Sequence, residues 1–156
     1  MTMPMRGKPI AFRAVKEVWS TYTIKDKLPV QLKERVVLAK VLKTDMRNEV
    51  GEPVYVLGTG TPIVSIYAPP ELQGPPTNPP PDQSMLAKAD LVDLDFERTE
   101  EPWNEYEFAD GTIARIRLVL SKIRRTPFYG LEGDPLYLVT NDIGSENTVP
   151  KELRQK

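Results

Sequence analysis

The 156-residue chain contains neither cysteine nor histidine. Without cysteine it can form no disulfide, thiolate nucleophile, cysteine-ligated zinc site or iron–sulfur cluster. Without histidine it lacks the usual general base at neutral pH and the commonest metal ligand, which excludes Ser-His-Asp and Cys-His catalytic sites. Lysine, tyrosine and carboxylates remain, but they form no recognisable catalytic constellation. The sequence therefore predicts a protein that is not an enzyme and has no metal site and no cofactor.

Long hydrophobic runs are also absent: no stretch of about 18 apolar residues, the length of a membrane-spanning helix, occurs. The segment from Met1 to Phe12 lacks the apolar run of a signal peptide. With 40% hydrophobic residues, 28% charged residues and a net charge of -1, the composition is that of a globular protein, and we expect a cytoplasmic one. Nine Asn plus Gln together with 16 Pro are typical of proteins from thermophiles.

The most informative feature of the sequence is an internal repeat. Residues 35–56 align without a gap with residues 117–138. Eight of the 22 aligned positions are identical, whereas average residue usage gives about one or two by chance. The identical pairs are Arg35/Arg117, Val37/Val119, Leu38/Leu120, Lys40/Lys122, Thr44/Thr126, Gly51/Gly133, Pro53/Pro135 and Tyr55/Tyr137.

The repeat extends on both sides of this segment. Upstream, where the offset between the copies is two positions longer, the pairs are Phe12/Phe96, Glu17/Glu101, Trp19/Trp103, Tyr22/Tyr106 and Asp26/Asp110. Downstream, where the offset is one position shorter, the pairs are Pro69/Pro150, Glu71/Glu152 and Leu72/Leu153. We therefore predict a tandem duplication, with unit 1 at residues 12–73, a connector at residues 74–95 and unit 2 at residues 96–155.

Each unit is predicted to be a four-strand β-meander. In unit 2, residues 103–108 precede Asp110-Gly111, a strong hairpin signal, and residues 113–124 are rich in aliphatic residues. The strand at residues 63–67 of unit 1 completes its meander. A helix is the alternative for residues 30–43, because helical spacing relates Leu32, Val36, Ala39 and Leu42. The aligned residues 112–125 of unit 2 nevertheless favour a strand in this region.

A unit of about 60 residues buries only about 60% of its unfolded surface and is marginal by itself. We therefore expect one mostly β domain, in which two small sheets or barrels pack as a pseudo-twofold pair. This arrangement would place Trp19 and Trp103 in equivalent positions.

Proline and charge distinguish the connector from the units. Proline occupies more than half of the positions from 69 to 81, which predicts an extended strap on the surface. The net charge is +5 for residues 1–68, -6 for residues 69–102 and 0 for residues 103–156. We interpret the acidic stretch from Asp90 to Glu101 as solvated, since it lacks the spacing of a calcium-binding loop.

Basic residues recur on the predicted strands of both units. They are Arg35, Lys40, Lys43, Arg117, Lys122, Arg124 and Arg125. One interpretation is a stripe that follows the phosphates of a nucleic acid, with Trp19, Trp103, Tyr55 and Tyr137 available for base stacking. The other is a set of solvated strand faces that prevent edge aggregation. The isoelectric point near 5.6 favours the second interpretation.

The sequence thus predicts a non-enzymatic interaction or assembly module, because duplication creates two related surfaces and no catalytic constellation is present. Its partner would be a protein, including a second copy of the chain. Single-stranded nucleic-acid binding is the alternative, and an enzyme that uses lysine or carboxylates is the third hypothesis.

Overall fold

The computed structural model describes residues 7–155, which form antiparallel β-strands and one short α-helix. Residues 1–6, part of the segment tested above for a signal peptide, lie outside the described residues. The strands are β1 (Gly7–Pro9), β2 (Phe12–Lys16), β3 (Ser20–Lys25), β4 (Pro29–Arg35), β5 (Leu38–Arg47), β6 (Pro53–Thr59), β7 (Ile63–Tyr67), β8 (Val92–Glu100), β9 (Asn104–Phe108), β10 (Ile113–Tyr129) and β11 (Pro135–Thr148); the helix is α1 (Gln83–Lys88). The mostly β prediction is confirmed.

Residues 30–43 lie in β4 and β5 except for Val36 and Val37 between them, so the strand interpretation is confirmed and the helical alternative is not. Buried and exposed residues alternate along β4, with Val30, Leu32 and Glu34 buried. This period of two is the pattern of a strand with one face in the core. At the predicted hairpin, Gly111 has a φ of 91° and allows the tight turn between β9 and β10.

The strands form two sheets. One has three strands in the order β1-β5-β6, and the other has eight strands in the order β2-β9-β10-β8-β3-β4-β7, with β11 paired to β10. Within residues 7–155, both sheets end in edge strands and neither closes into a barrel. The structure therefore shows two antiparallel sheets, but it does not show the expected pseudo-twofold pair of four-strand meanders or a barrel.

The two units exchange strands. β2 of unit 1 pairs with β9 of unit 2 and places Phe12 opposite Phe108. β8, at the start of unit 2, pairs with β3 of unit 1 and places Phe96 opposite Ile24. The two contacts are related by the same offset that aligns these parts of the sequence. Because β8 begins at Val92, the last part of the predicted connector also belongs to this exchanged strand.

The exchange mixes both units in each hydrophobic core. One core cluster combines Val36, Leu38 and Val41 with unit 2 residues that include Tyr106 and Phe108. The second combines unit 1 residues that surround a fully buried Tyr22 with Leu120 and Ile123 of unit 2. Burying one such side chain stabilises a fold by about 1.5–3 kcal/mol. Neither cluster is built from a single unit.

Residues at or just beyond the ends of the two units also contact the other unit. The amide of Gly74, after unit 1, donates to the carbonyl of Gly133 in unit 2, and Gln155 donates to Gly51 in unit 1, both at 2.9 Å. Gly51 and Gly133 have φ values of 82° and 85°, and a Cβ at Gly51 would collide with the Gln155 carbonyl oxygen. Glycine is therefore needed for both the turn and the close approach.

Candidate functional site

Trp19 and Trp103, which align in the sequence, both lie under cationic side chains that are nearby in the sequence. The Cζ atom of Arg35 is 5.2 Å from the ring centroid of Trp19, and Lys33 Nζ is 4.8 Å from it. Arg117 Cζ is 4.4 Å from the centroid of Trp103. Each contact is worth about 0.5–1 kcal/mol where it is exposed. Because the protein's own cations cover these rings, less ring surface remains for a stacked base.

A polar cluster surrounds Asp110 between the two units. Asp110 Oδ2 accepts hydrogen bonds from Tyr55 Oη at 2.5 Å and Lys43 Nζ at 2.9 Å, and Oδ1 accepts one from the Thr112 amide. Burial alone would raise the pKa of Asp110, but these hydrogen bonds outweigh it and lower the pKa to about 2. Burial and the carboxylate raise the pKa of Tyr55 to about 12, so the phenol is a neutral donor. The cluster is a structural link that joins β5 and β6 to the hairpin of unit 2.

The aligned cluster surrounds Asp26. Its carboxylate accepts a hydrogen bond from Tyr137 Oη at 2.8 Å and lies 3.4 Å from Arg125 Nη1. Burial and the neighbouring Asp26 raise the pKa of Tyr137 well above its usual range. Two tyrosines, one lysine and one arginine therefore hold two largely buried aspartate side chains, which occupies groups that the sequence offered for stacking and phosphate binding.

Most of the predicted basic residues contact other groups of the protein. Lys122 Nζ lies 3.8 Å from Asp93, and Arg117 donates to the main-chain carbonyl of Glu101. Lys40 is exposed and Arg124 is half-buried, and neither has an acidic partner among residues 7–155. Nucleic-acid binding thus remains a prediction. Of the seven basic residues predicted to bind phosphates, only Lys40 and Arg124 could do so without first losing one of the contacts described above.

Glu34 is a buried acid that the sequence analysis did not single out. It is 0% exposed, and neither of its carboxyl oxygens has a hydrogen-bond partner within residues 7–155. Oδ1 of the neighbouring Asn141 is also buried without a partner in that range. Burial raises the pKa of Glu34 to about 7, although the Asn141 side chain opposes this shift. A protonated Glu34 that donates to Asn141 Oδ1 would pair that oxygen with one of the two carboxyl oxygens of Glu34. The position aligned with Glu34 is Ile116, which is equally buried.

The outstanding surface feature is the free edge formed by β7. This strand pairs with β4 on one side and with no strand of the described chain on the other. Tyr67 is 68% exposed, and Ile63 and Val64 are 42% and 39% exposed. No residue from position 53 to position 70 is charged, so β6 and β7 both lie in an uncharged segment. This signal was readable in the sequence as a long gap in the charge pattern.

Among residues 7–155, no three acidic side chains are grouped so that they could hold a metal ion. A recess of about 280 Å³ is lined partly by Asp26, Arg125 and Tyr129, and the carboxylate and guanidinium among these groups are already paired. No helix within the described range is long and apolar enough to cross a membrane.

Comparison of the chain with protein-family models, curated proteins and solved structures found no significant match. The function of the protein therefore has to follow from its own surface and contacts. Among the features described above, the edge of β7 is apolar, exposed and not paired with a further strand of the described chain.

Proposed function

We propose that this protein is a non-enzymatic, cytoplasmic assembly module that binds a protein partner through the free edge of β7. The exposed main-chain groups of an edge strand pair readily with a strand from another chain. Natural proteins usually block such edges with charged residues or proline, and β7 contains neither. That unprotected, uncharged edge is the observation that carries the proposal.

Tandem duplication is part of this proposal, because it accounts for a domain with two related ends. Support comes from reciprocal contacts between aligned residues: Tyr22 Oη donates to Glu101, and Tyr106 Oη donates to Glu17. The aligned edges then differ in chemistry. The part of β11 that aligns with β7 contains Glu146 and exposed polar residues, so we propose that the interaction surface belongs to unit 1.

Photo-crosslinking tests the proposal without assuming which protein binds. A benzophenone amino acid at Tyr67 is expected to give discrete protein adducts in cells that express the full chain. The matched control places the same amino acid at Ile143, which is 50% exposed on β11. Substituting Val64 by lysine should abolish the adducts at position 67, because a charge on the edge prevents strand addition. Equal adducts at both positions, or none at position 67, would contradict the proposal.

Single-stranded nucleic-acid binding is the second candidate, and one feature of unit 1 favours it. Lys33 and Tyr67 border an open recess of about 340 Å³ that is also lined by Thr21, Gln31 and Ser65 but by no acid. At the aligned place in unit 2, glutamates neutralise Arg115. Fluorescence anisotropy of labelled oligonucleotides separates the candidates. The assembly proposal expects no binding at low salt, whereas tight binding that weakens steeply with salt would favour nucleic acid.

A further inference from the structure

We propose that the partner of β7 is β7 of a second copy of this chain, paired antiparallel about Ser65 so that the eight-stranded sheets of two copies join across a twofold axis. This inference rests on the proposed function and specifies its partner. A closed twofold contact uses the same surface on both subunits and covers the edge without leaving a new one.

The side chains of β7 are self-complementary in this register. Val64 and Ile66 lie opposite the buried residues Glu34 and Leu32 of β4, so they share the core-side face, whereas Ile63, Ser65 and Tyr67 share the other face. Pairing about Ser65 places Ile63 opposite Tyr67 of the second copy. It also places Val64 opposite Ile66 of that copy. Aromatic and β-branched cross-strand pairs each add about 0.2–1 kcal/mol.

Charge favours this pairing over the free edges at β1, β2 and β11. Those edges include Lys8 on β1, Arg13 and Lys16 on β2, and Asp142 and Glu146 on β11. Pairing β7 with any of these strands would bury a charged side chain against β7, which has no residue of opposite charge to pair with it. β7 against β7 pairs an uncharged edge with an uncharged edge. β6 is likewise uncharged, so the experiment has to distinguish these two edges.

The extent of the contact sets the expected affinity. Stable interfaces bury about 1,200–2,000 Å² in total, and a pair of such short strands with its flanking side chains is at or below the lower end. We therefore expect a reversible dimer whose population rises with protein concentration. The short strand also favours this register, because a shift by two positions would place Tyr67 opposite Ser65 or Thr61 instead of Ile63.

Cysteine cross-linking tests the inference, since the natural chain contains no cysteine. Ser65→Cys places one thiol at the proposed twofold axis, where directly opposite residues approach closely enough for a disulfide. Under mild oxidation this variant should form a disulfide-linked dimer. Ser145→Cys, at an exposed serine on the β11 edge, is the matched control and should form several-fold less. Adding Tyr67→Lys to Ser65→Cys should reduce the linked dimer to the control level.

Each outcome discriminates between the two proposals. Linkage at Ser65→Cys that exceeds the control and is lost with Tyr67→Lys supports the second copy as partner. Equal linkage in both cysteine variants overturns the inference, as does linkage that Tyr67→Lys leaves unchanged. No linkage together with an adduct to a different protein at position 67 overturns the inference and leaves the proposed function standing. No linkage and no adduct overturns both.

Discussion

Replacing Glu34 by glutamine is expected to stabilise the fold at pH 8 by roughly 1–3 kcal/mol, and by much less at pH 4. Burial raises the pKa of Glu34 from 4.5 to about 7 in the folded state. Below pH 4.5 both the folded and the unfolded chain keep the proton. As the pH rises toward 7 the unfolded chain ionises first, so the folded state progressively loses stability. Glutamine cannot ionise, and its amide can still donate to Asn141.

Urea unfolding of the natural chain and the Glu34→Gln variant from pH 4 to pH 9 measures this difference. The natural chain should lose stability between about pH 4.5 and pH 7, and the variant should not lose that component. Glu132→Gln, in an exposed turn, is the control and should follow the natural chain. Parallel pH profiles for the natural chain and Glu34→Gln would show that Glu34 does not bind a proton on folding in this range.

Replacing Asp110 by alanine is expected to destabilise the fold by roughly 2–4 kcal/mol, because it leaves a cation and a phenol without their carboxylate partner. The carboxylate accepts hydrogen bonds from Tyr55, Lys43 and the Thr112 amide. For a chain of this size, the midpoint of thermal unfolding should fall by about 2–4 °C for each kcal/mol. Calorimetry of the variant measures the loss directly.

Two further sets of variants test whether the stability lost in Asp110→Ala comes from its broken hydrogen bonds rather than from removal of any aspartate side chain. Asp142→Ala on the exposed part of β11 should change stability by less than about 0.5 kcal/mol. A double-mutant cycle between Asp110→Asn and Tyr55→Phe should give a coupling energy of about 0.5–3 kcal/mol. Additive effects in that cycle would mean that the contact between Tyr55 and Asp110 contributes little to the link between the units.

The positions of the strands were largely readable from the sequence, whereas their partners were not. The Asp110-Gly111 turn and the apolar run after it correctly predicted β9 and β10. Exchange of β2 and β8 between the units was not predicted, because both units have the same strand periodicity. Periodicity tells which face of a strand is buried, but it does not tell which unit supplies the neighbouring strand.

For the candidate sites, too, the sequence identified some of the residues but not their contacts. Aligned pairs such as Asp26/Asp110 and Tyr55/Tyr137 were visible in the sequence, but aspartates in turns are expected from local structure alone. These aspartates and tyrosines link the two units only because the units pack together, which the sequence did not show. Glu34 stood out in no local pattern, since it lies between Lys33 and Arg35 in a charged run that looks solvated until the sheet order is known. The uncharged segment of β6 and β7 could have been found by counting charges.

Light scattering across a range of protein concentrations measures whether the chain assembles through β7. The natural chain has a mass of 17.7 kDa, and we expect the measured mass to rise toward twice this value with concentration at both low and high salt. Tyr67→Lys should remain at the monomer mass, whereas Ile143→Lys should behave like the natural chain. A monomer at every concentration, or a dimer that Tyr67→Lys leaves intact, would contradict assembly of the chain through β7.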